Sequence, residues 1–222
     1  MQGLEQALLD LQLLTERLRR DCPWDREQTT RTIVPHTVEE AYELADAAHS
    51  GDDAKLVDEL GDVLFQVYFL ALLLEERGES NLAEVADHVR EKLIRRHPHV
   101  FGEAVARDAA EAIRSWGAAK RDLERGGAVF GEIPETLPGP LYALKMQKRL
   151  DNAGLRERSA DEALGDVERL AGELREERSR EERFRAVGEL LFAAVDAARA
   201  LEVDPELALR DAAERFRQDH ES

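Results

Sequence analysis

Apolar residues near the start of the chain recur at the helical interval. Leu4, Leu8, Leu11, Leu14 and Leu18 lie three or four positions apart and share one face. This stripe predicts an amphipathic helix that ends at the Asp21-Cys22-Pro23 break, followed by a loop through Trp24, Asp25 and Gln28. Thr37 is the expected cap of a second helix, because Thr37-Val38-Glu39-Glu40 sets a glutamate three residues beyond a threonine; that helix runs to Ser50-Gly51. Asp52 or Asp53 opens a long third helix ending at Arg77-Gly78. A fourth follows Ser80-Asn81, turns Leu82, Val85, Val89 and Leu93 inward and stops at Pro98. A fifth covers 109–124, with Ile113, Trp116 and Leu123 among its apolar contacts.

Gly126-Gly127, Gly131, Pro134 and Pro138-Gly139-Pro140 interrupt the periodicity and mark a linker. The expected organisation is a helical domain over 1–125, a linker over 126–140 and a second helical domain over 141–222. Helices are expected there over Leu141–Asn152, Ala160–Glu177, Arg180–Leu201 and Pro205–Asp219. Gly61-Asp62-Val63-Leu64-Phe65 in the first half is echoed by Gly188-Glu189-Leu190-Leu191-Phe192 in the second, and Arg95-Arg96-His97 more weakly by Arg215-Phe216-Arg217. The second half therefore reads as a diverged copy of the first.

Composition agrees with an all-α bundle: Ala, Leu, Glu and Arg dominate, and 43% hydrophobic residues in 222 are enough for a real core. A net charge of −17 excludes the broad basic surface that nucleic-acid binding needs, and leaves room for a small phosphorylated ligand only where local cations or a metal offset the acidic field. The single cysteine, Cys22, rules out an intrachain disulfide and fits a reducing compartment. The N-terminus lacks a basic region ahead of an apolar core, and the apolar run over 63–74, broken by Gln66, is shorter than the roughly 18 residues a membrane span requires. A cytoplasmic protein with no membrane partner is the expectation.

The candidate chemistry lies in acids. At about 100° per residue, Glu39, Glu40 and Glu43 fall near 0°, 100° and 40° on the second helix and share a face. Glu59 and Asp62 lie three apart on the next helix, and Gln66 carries their stripe toward Phe69 and Leu73. Carboxylates aimed at an apolar interior are costly unless paired, protonated or metal-bound. Few bases lie near, so a metal is the simplest resolution. Oxygen-only donors suit Mg²⁺, with Mn²⁺ as a substitute, and no His or Cys stands at a spacing that favours zinc or iron.

The pattern Glu39-Glu40-Ala41-Tyr42-Glu43 followed by Glu59-Leu60-Gly61-Asp62 closely resembles the MazG-type nucleoside triphosphate pyrophosphohydrolases. The resemblance extends to Cys22-Pro23-Trp24-Asp25, to Arg95-Arg96-His97-Pro98-His99-Val100-Phe101, to Trp116 with Lys120, and to Ile133-Pro134. It implies an all-α bundle assembled as a homodimer or higher homo-oligomer, and hydrolysis of nucleoside triphosphates to monophosphate and pyrophosphate as nucleotide-pool housecleaning. By the same resemblance Glu40, Glu43, Glu59 and Asp62 hold Mg²⁺, and Glu39 orients or deprotonates the attacking water. Lys92, Arg95 and Arg96 are the natural phosphate-binding cations, with Lys120 a further candidate; Trp24 is placed to stack on a base. Against these stand a basic helix end and an aromatic loop anchor.

The second half departs from the motif. Glu189 stands for Asp62, Ala186 falls where Glu59 would be, and no EExxE precedes them, so this half is expected to be catalytically degenerate. Three rivals remain. A ferritin-like di-iron oxidase needs two Glu-x-x-His pairs, and the chain offers only Asp46-x-x-His49 at that spacing. A non-catalytic helical interaction protein leaves the acids without purpose. A hydrolase of phosphoribosyl-ATP or of a signalling nucleotide would share the metal site and differ in substrate recognition.

Overall fold

The computed structural model describes residues 2–109, 111–112, 115, 117, 129–130, 133–156, 158–175 and 179–221. All regular structure among the described residues is helical. The fifth helix expected over 109–124, with Trp116 and Lys120, lies largely outside them. The chain divides into two compact units, Met1–Val105 and Ala106–Ser222.

In the first unit α1 (Gln2–Asp21), α2 (Pro23–Glu27), α3 (Thr30–Ser50), α4 (Asp53–Glu75), α5 (Leu82–Arg96) and α6 (Pro98–Phe101) follow one another. α1 ends where the stripe predicts. The segment expected to be a loop through Trp24 and Asp25 is instead the short α2, with Pro23 in its first turn, where a missing N–H costs nothing. α3 starts seven residues before the expected cap: Thr29 is the N-cap and forms a reciprocal box with Thr32, whose hydroxyl accepts from the Thr29 N–H at 2.8 Å. The helix runs through Pro35. Thr37 caps nothing and donates instead to the Ile33 carbonyl or to Gln66.

α3 and α4 form an antiparallel hairpin. Its turn is built by Gly51, which closes α3 in the left-handed region at φ 72, and by Asp52, whose carboxylate accepts from the Ala54 and Lys55 amides. Ile33, Phe69 and Leu73 form the buried centre of this pair, flanked by Phe65 and Leu70. Arg19 ties α1 to the end of α4: it donates to both carboxylate oxygens of Glu76 at 2.7 and 2.8 Å, and to the carbonyls of Asp25 and Gln28. α5 begins at the Asn81 cap and ends before Pro98, as expected. Its apolar stripe is less inward than predicted: Leu82 and Val85 are half-buried, but Val89 and Leu93 are exposed.

The second unit contains α7 (Gly139–Asn152), α8 (Ala160–Glu173), α9 (Arg180–Ala200) and α10 (Pro205–Glu221), with bounds close to those read from the pattern. Ser159 with Glu162, and Ser179 with Glu182, make full capping boxes. α8 and α9 form a hairpin of the same kind as α3 and α4, and α7 packs across α9.

Candidate functional site

The α3–α4 hairpin sets facing residues in a ladder. Ile33 and Phe69 meet in the core. One turn along, Thr37 hydrogen-bonds the Gln66 amide oxygen at 3.0 Å, where Gln66 is itself buried. Beyond that bond the ladder becomes acidic, with Glu40 and Glu43 on α3 and Glu59 and Asp62 on α4. One carboxylate oxygen from each of Glu40, Glu43 and Glu59 lies within 4.8 Å of the others.

Burial differs along the group. Glu59 is only 9% exposed, Glu40 is half-buried, and Glu43 and Asp62 open toward solvent. Burial pushes the Glu40 carboxyl above its ordinary range, and the negative charges of Asp62 and Glu43 push it further. Burial raises Glu59 in the same way, with Glu43 adding to it; Lys55 opposes the rise. Among the described residues, Lys55 is the cation that acts on Glu59, and the charges that act on Glu40 are all negative. A hard divalent cation fits the donor set, because oxygen ligands converge at one point and their mutual repulsion is relieved by positive charge.

Asp62 sits one turn beyond Glu59 and acts on both Glu40 and Glu59 through its charge. Glu39 stands apart from the cluster: its side chain is 63% exposed and lies 3.7 Å from His36 Nδ1. The His36 ring in turn meets Trp24 edge-on, with centroids 5.7 Å apart. Trp24 is 51% exposed, so it braces α2 against α3 and leaves a face open. Lys92, Arg95 and Arg96 occupy the last turns of α5. Lys92 and Arg96 are half-buried, while Arg95 is exposed and 3.6 Å from Glu91. Lys120 lies outside the described residues.

Sequence reasoning missed the Thr37–Gln66 bond, which fixes the hairpin register immediately beside the acids. The signal was present, since Gln66 continues the Glu59–Asp62 stripe toward the core and needs a partner there.

A family model described as "MazG nucleotide pyrophosphohydrolase domain" matches residues 28–101, the stretch that contains this ladder. A nucleoside triphosphate pyrophosphohydrolase of Escherichia coli strain K12 is 36% identical over 214 residues, spanning 91% of this chain and 81% of that protein. A nucleoside triphosphate pyrophosphohydrolase/pyrophosphatase MazG of Thermotoga maritima is 36% identical over 211 residues, spanning 93% and 81% respectively. A crystal structure of a mazG-related protein from Thermotoga maritima aligns at 28% identity and a TM-score of 0.44 over 50% of this chain and 97% of that one.

Proposed function

This chain belongs to the MazG family of nucleotide pyrophosphohydrolases, and we propose that it hydrolyses nucleoside triphosphates to the monophosphate and pyrophosphate at the Glu40–Glu43–Glu59 cluster. The observation that carries the placement is the convergence of three under-compensated carboxylates on one hairpin, inside the segment that the family model matches.

Within this reading Glu40, Glu43, Glu59 and Asp62 hold Mg²⁺, with Mn²⁺ as a substitute. When bound, the cation neutralises phosphate charge and makes a nearby water more acidic. The rest falls to the chain's own residues. Glu59, the most enclosed acid, and Glu40 fix the geometry of the cluster from facing helices, and the Thr37–Gln66 bond holds those helices in register. Glu39 orients the attacking water and accepts its proton; its exposed carboxylate on the same helix supports this role, and a movement of its side chain away from His36 brings it to bear. Lys92, Arg95 and Arg96 steer the phosphates, and Trp24 offers an aromatic face to the base.

The chain acts as a homodimer in the cytoplasm. Support for association comes from apolar side chains left open on the first unit, among them Leu4, Leu9 and Leu13 on α1 and Val57, Leu60 and Val67 on α4. No helix among the described residues is long and apolar enough to cross a membrane. The second half is a degenerate copy that takes no metal.

The test is a product analysis. The purified protein is incubated with a panel of nucleoside triphosphates and Mg²⁺, and monophosphate, diphosphate, pyrophosphate and phosphate are resolved. Monophosphate with pyrophosphate, abolished by chelation, is expected. Diphosphate with phosphate would place the cleaved bond elsewhere and sink the reading.

A further inference from the structure

The echo between the halves has a structural counterpart. Gly61 is the ninth residue of α4 and Gly188 the ninth of α9, so the two helices share a register from their caps onward. In that register Asp58 corresponds to Arg185, Glu59 to Ala186 and Asp62 to Glu189. Phe69, fully buried in the first core, corresponds to Asp196, which is 1% exposed. The second unit has thus lost acid where the first binds through acid, and buried an acid where the first buries an aromatic ring.

Arginines have gathered around that buried acid. Arg156 donates to Asp196 Oδ2 through Nη2, Arg158 reaches the same oxygen at 3.4 Å, and Arg199 donates to Oδ1 at 2.9 and 3.1 Å. Arg199 also pairs with Asp151, and Arg158 with Asp166 at 2.5 Å. α9 also carries Arg185, which makes an exposed pair with Glu181 one turn back on its own helix at 2.6 Å.

Beside this network lies a cavity of about 530 Å³, lined by Arg156, Arg158 and Arg185 and walled by Leu170 and Phe192. Its size falls within the roughly 300–1,000 Å³ of small-ligand sites. Asp166 and Asp196 also line it, but both are already matched: the guanidiniums of Arg169 and Arg158 hold the Asp166 carboxyl below its usual range, and Asp196 has three guanidiniums. A guanidinium carries five N–H donors, and Arg156 and Arg185 engage their carboxylates through Nη2. Donors therefore remain for a planar or tetrahedral anion. Glu189, exposed on the rim, is the acid that a second ligand group with hydroxyls would meet.

We propose that the second unit carries a metal-independent nucleotide site, in which Arg156, Arg158 and Arg185 take the phosphates and Leu170 and Phe192 receive the base. Phosphate recognition here rests on the arginine geometry alone; the choice of a nucleotide rests on the activity proposed above. A metal site has become an anion site through replacement of acid by arginine and of a core aromatic by a buried aspartate.

ATP binding to the full chain in excess EDTA, followed by calorimetry, separates this site from the first, whose acids need a cation before they accept phosphate. Wild-type protein is expected to bind ATP without metal, and Glu59→Gln to bind it equally well. Arg185→Gln should weaken binding about tenfold or more, the effect of one lost charge-assisted bond. Arg156→Gln should weaken it similarly, but risks unfolding the network; Arg185 is on an exposed pair, so its variant keeps the wild-type melting temperature and remains interpretable. Absence of binding in EDTA overturns the proposal, as does binding that survives Arg185→Gln or disappears in Glu59→Gln. If the Mg²⁺ product assay fails while EDTA binding persists, the hydrolysis reading falls and the arginine site stands.

Discussion

Removal of one carboxylate from the cluster has two consequences of opposite sign. In the absence of metal, Glu59→Gln takes away a negative charge that burial and Glu43 disfavour, so the free protein is expected to melt at the same or a higher temperature. With Mg²⁺ present, the metal-induced rise in melting temperature should shrink, because a ligand has been lost. A fall in stability without metal, equal to that of a core truncation, would mean that Glu59 is structural. Arg19 makes the contrast. Its guanidinium holds the Glu76 carboxyl below the ordinary range, so this pair contributes stability that is present above the unfolded glutamate value and is lost as pH falls through the depressed folded value. Glu76→Gln should therefore destabilise at neutral pH, and the difference from wild type should vanish in acid. Arg19→Ala is expected to cost about 2–3 kcal/mol in denaturant unfolding, since charged bonds and two carbonyl partners are lost together. Among the acids, the helical angles placed Glu40 and Glu43 together and the three-residue spacing placed Glu59 and Asp62 on one stripe. The turn of Glu39 toward His36 was not legible, since a helix expected to begin at Thr37 leaves His36 outside it, whereas in α3 the two residues share a face.

At the scale of elements, the strongly periodic helices were read to within a few residues, including α1, α7, α9 and α10. Errors arose where two local signals competed. The sequence Thr37-Val38-Glu39-Glu40 suggested a cap at Thr37, but the reciprocal Thr29–Thr32 box starts α3 earlier and the packing of Ile33 against Phe69 holds the added turns. Thr37 was thereby freed to bond Gln66. Val89 and Leu93 follow a helical stripe yet face solvent, because periodicity states that a face is apolar and not what covers it. Gly61 supplies a test at this scale. A Cβ there would meet nothing within 4 Å, so Gly61→Ala should raise helix stability by about 1 kcal/mol, visible as a higher melting temperature. An unchanged or lower temperature would contradict the open surroundings of this turn of α4.

For the whole molecule, the two hairpins count alike from their caps, with Gly61 and Gly188 each ninth in its helix, and they carry different chemistry. Acids with raised carboxyl ranges mark the first, and matched arginine–carboxylate pairs mark the second. The five-residue echo at Gly188 and the alanine at 186 are what the chain itself offers for a kinship between the halves and for a second half without metal ligands. The arginine cavity was not legible, because Arg185 lies far along the chain from Arg156 and Arg158 and only folding brings the three to line one cavity. Exposed leucines and valines of the first unit lead to the expectation of a dimer, which sedimentation equilibrium checks; a monomer at every concentration would remove it. If hydrolysis belongs to the first unit's carboxylates, the decisive quantity is the rate of pyrophosphate release from a nucleoside triphosphate at saturating Mg²⁺, for wild type and for Glu43→Ala of equal melting temperature. A loss of about 100-fold or more is expected in the variant; a rate equal to wild type would place the chemistry outside the Glu40–Glu43–Glu59 cluster.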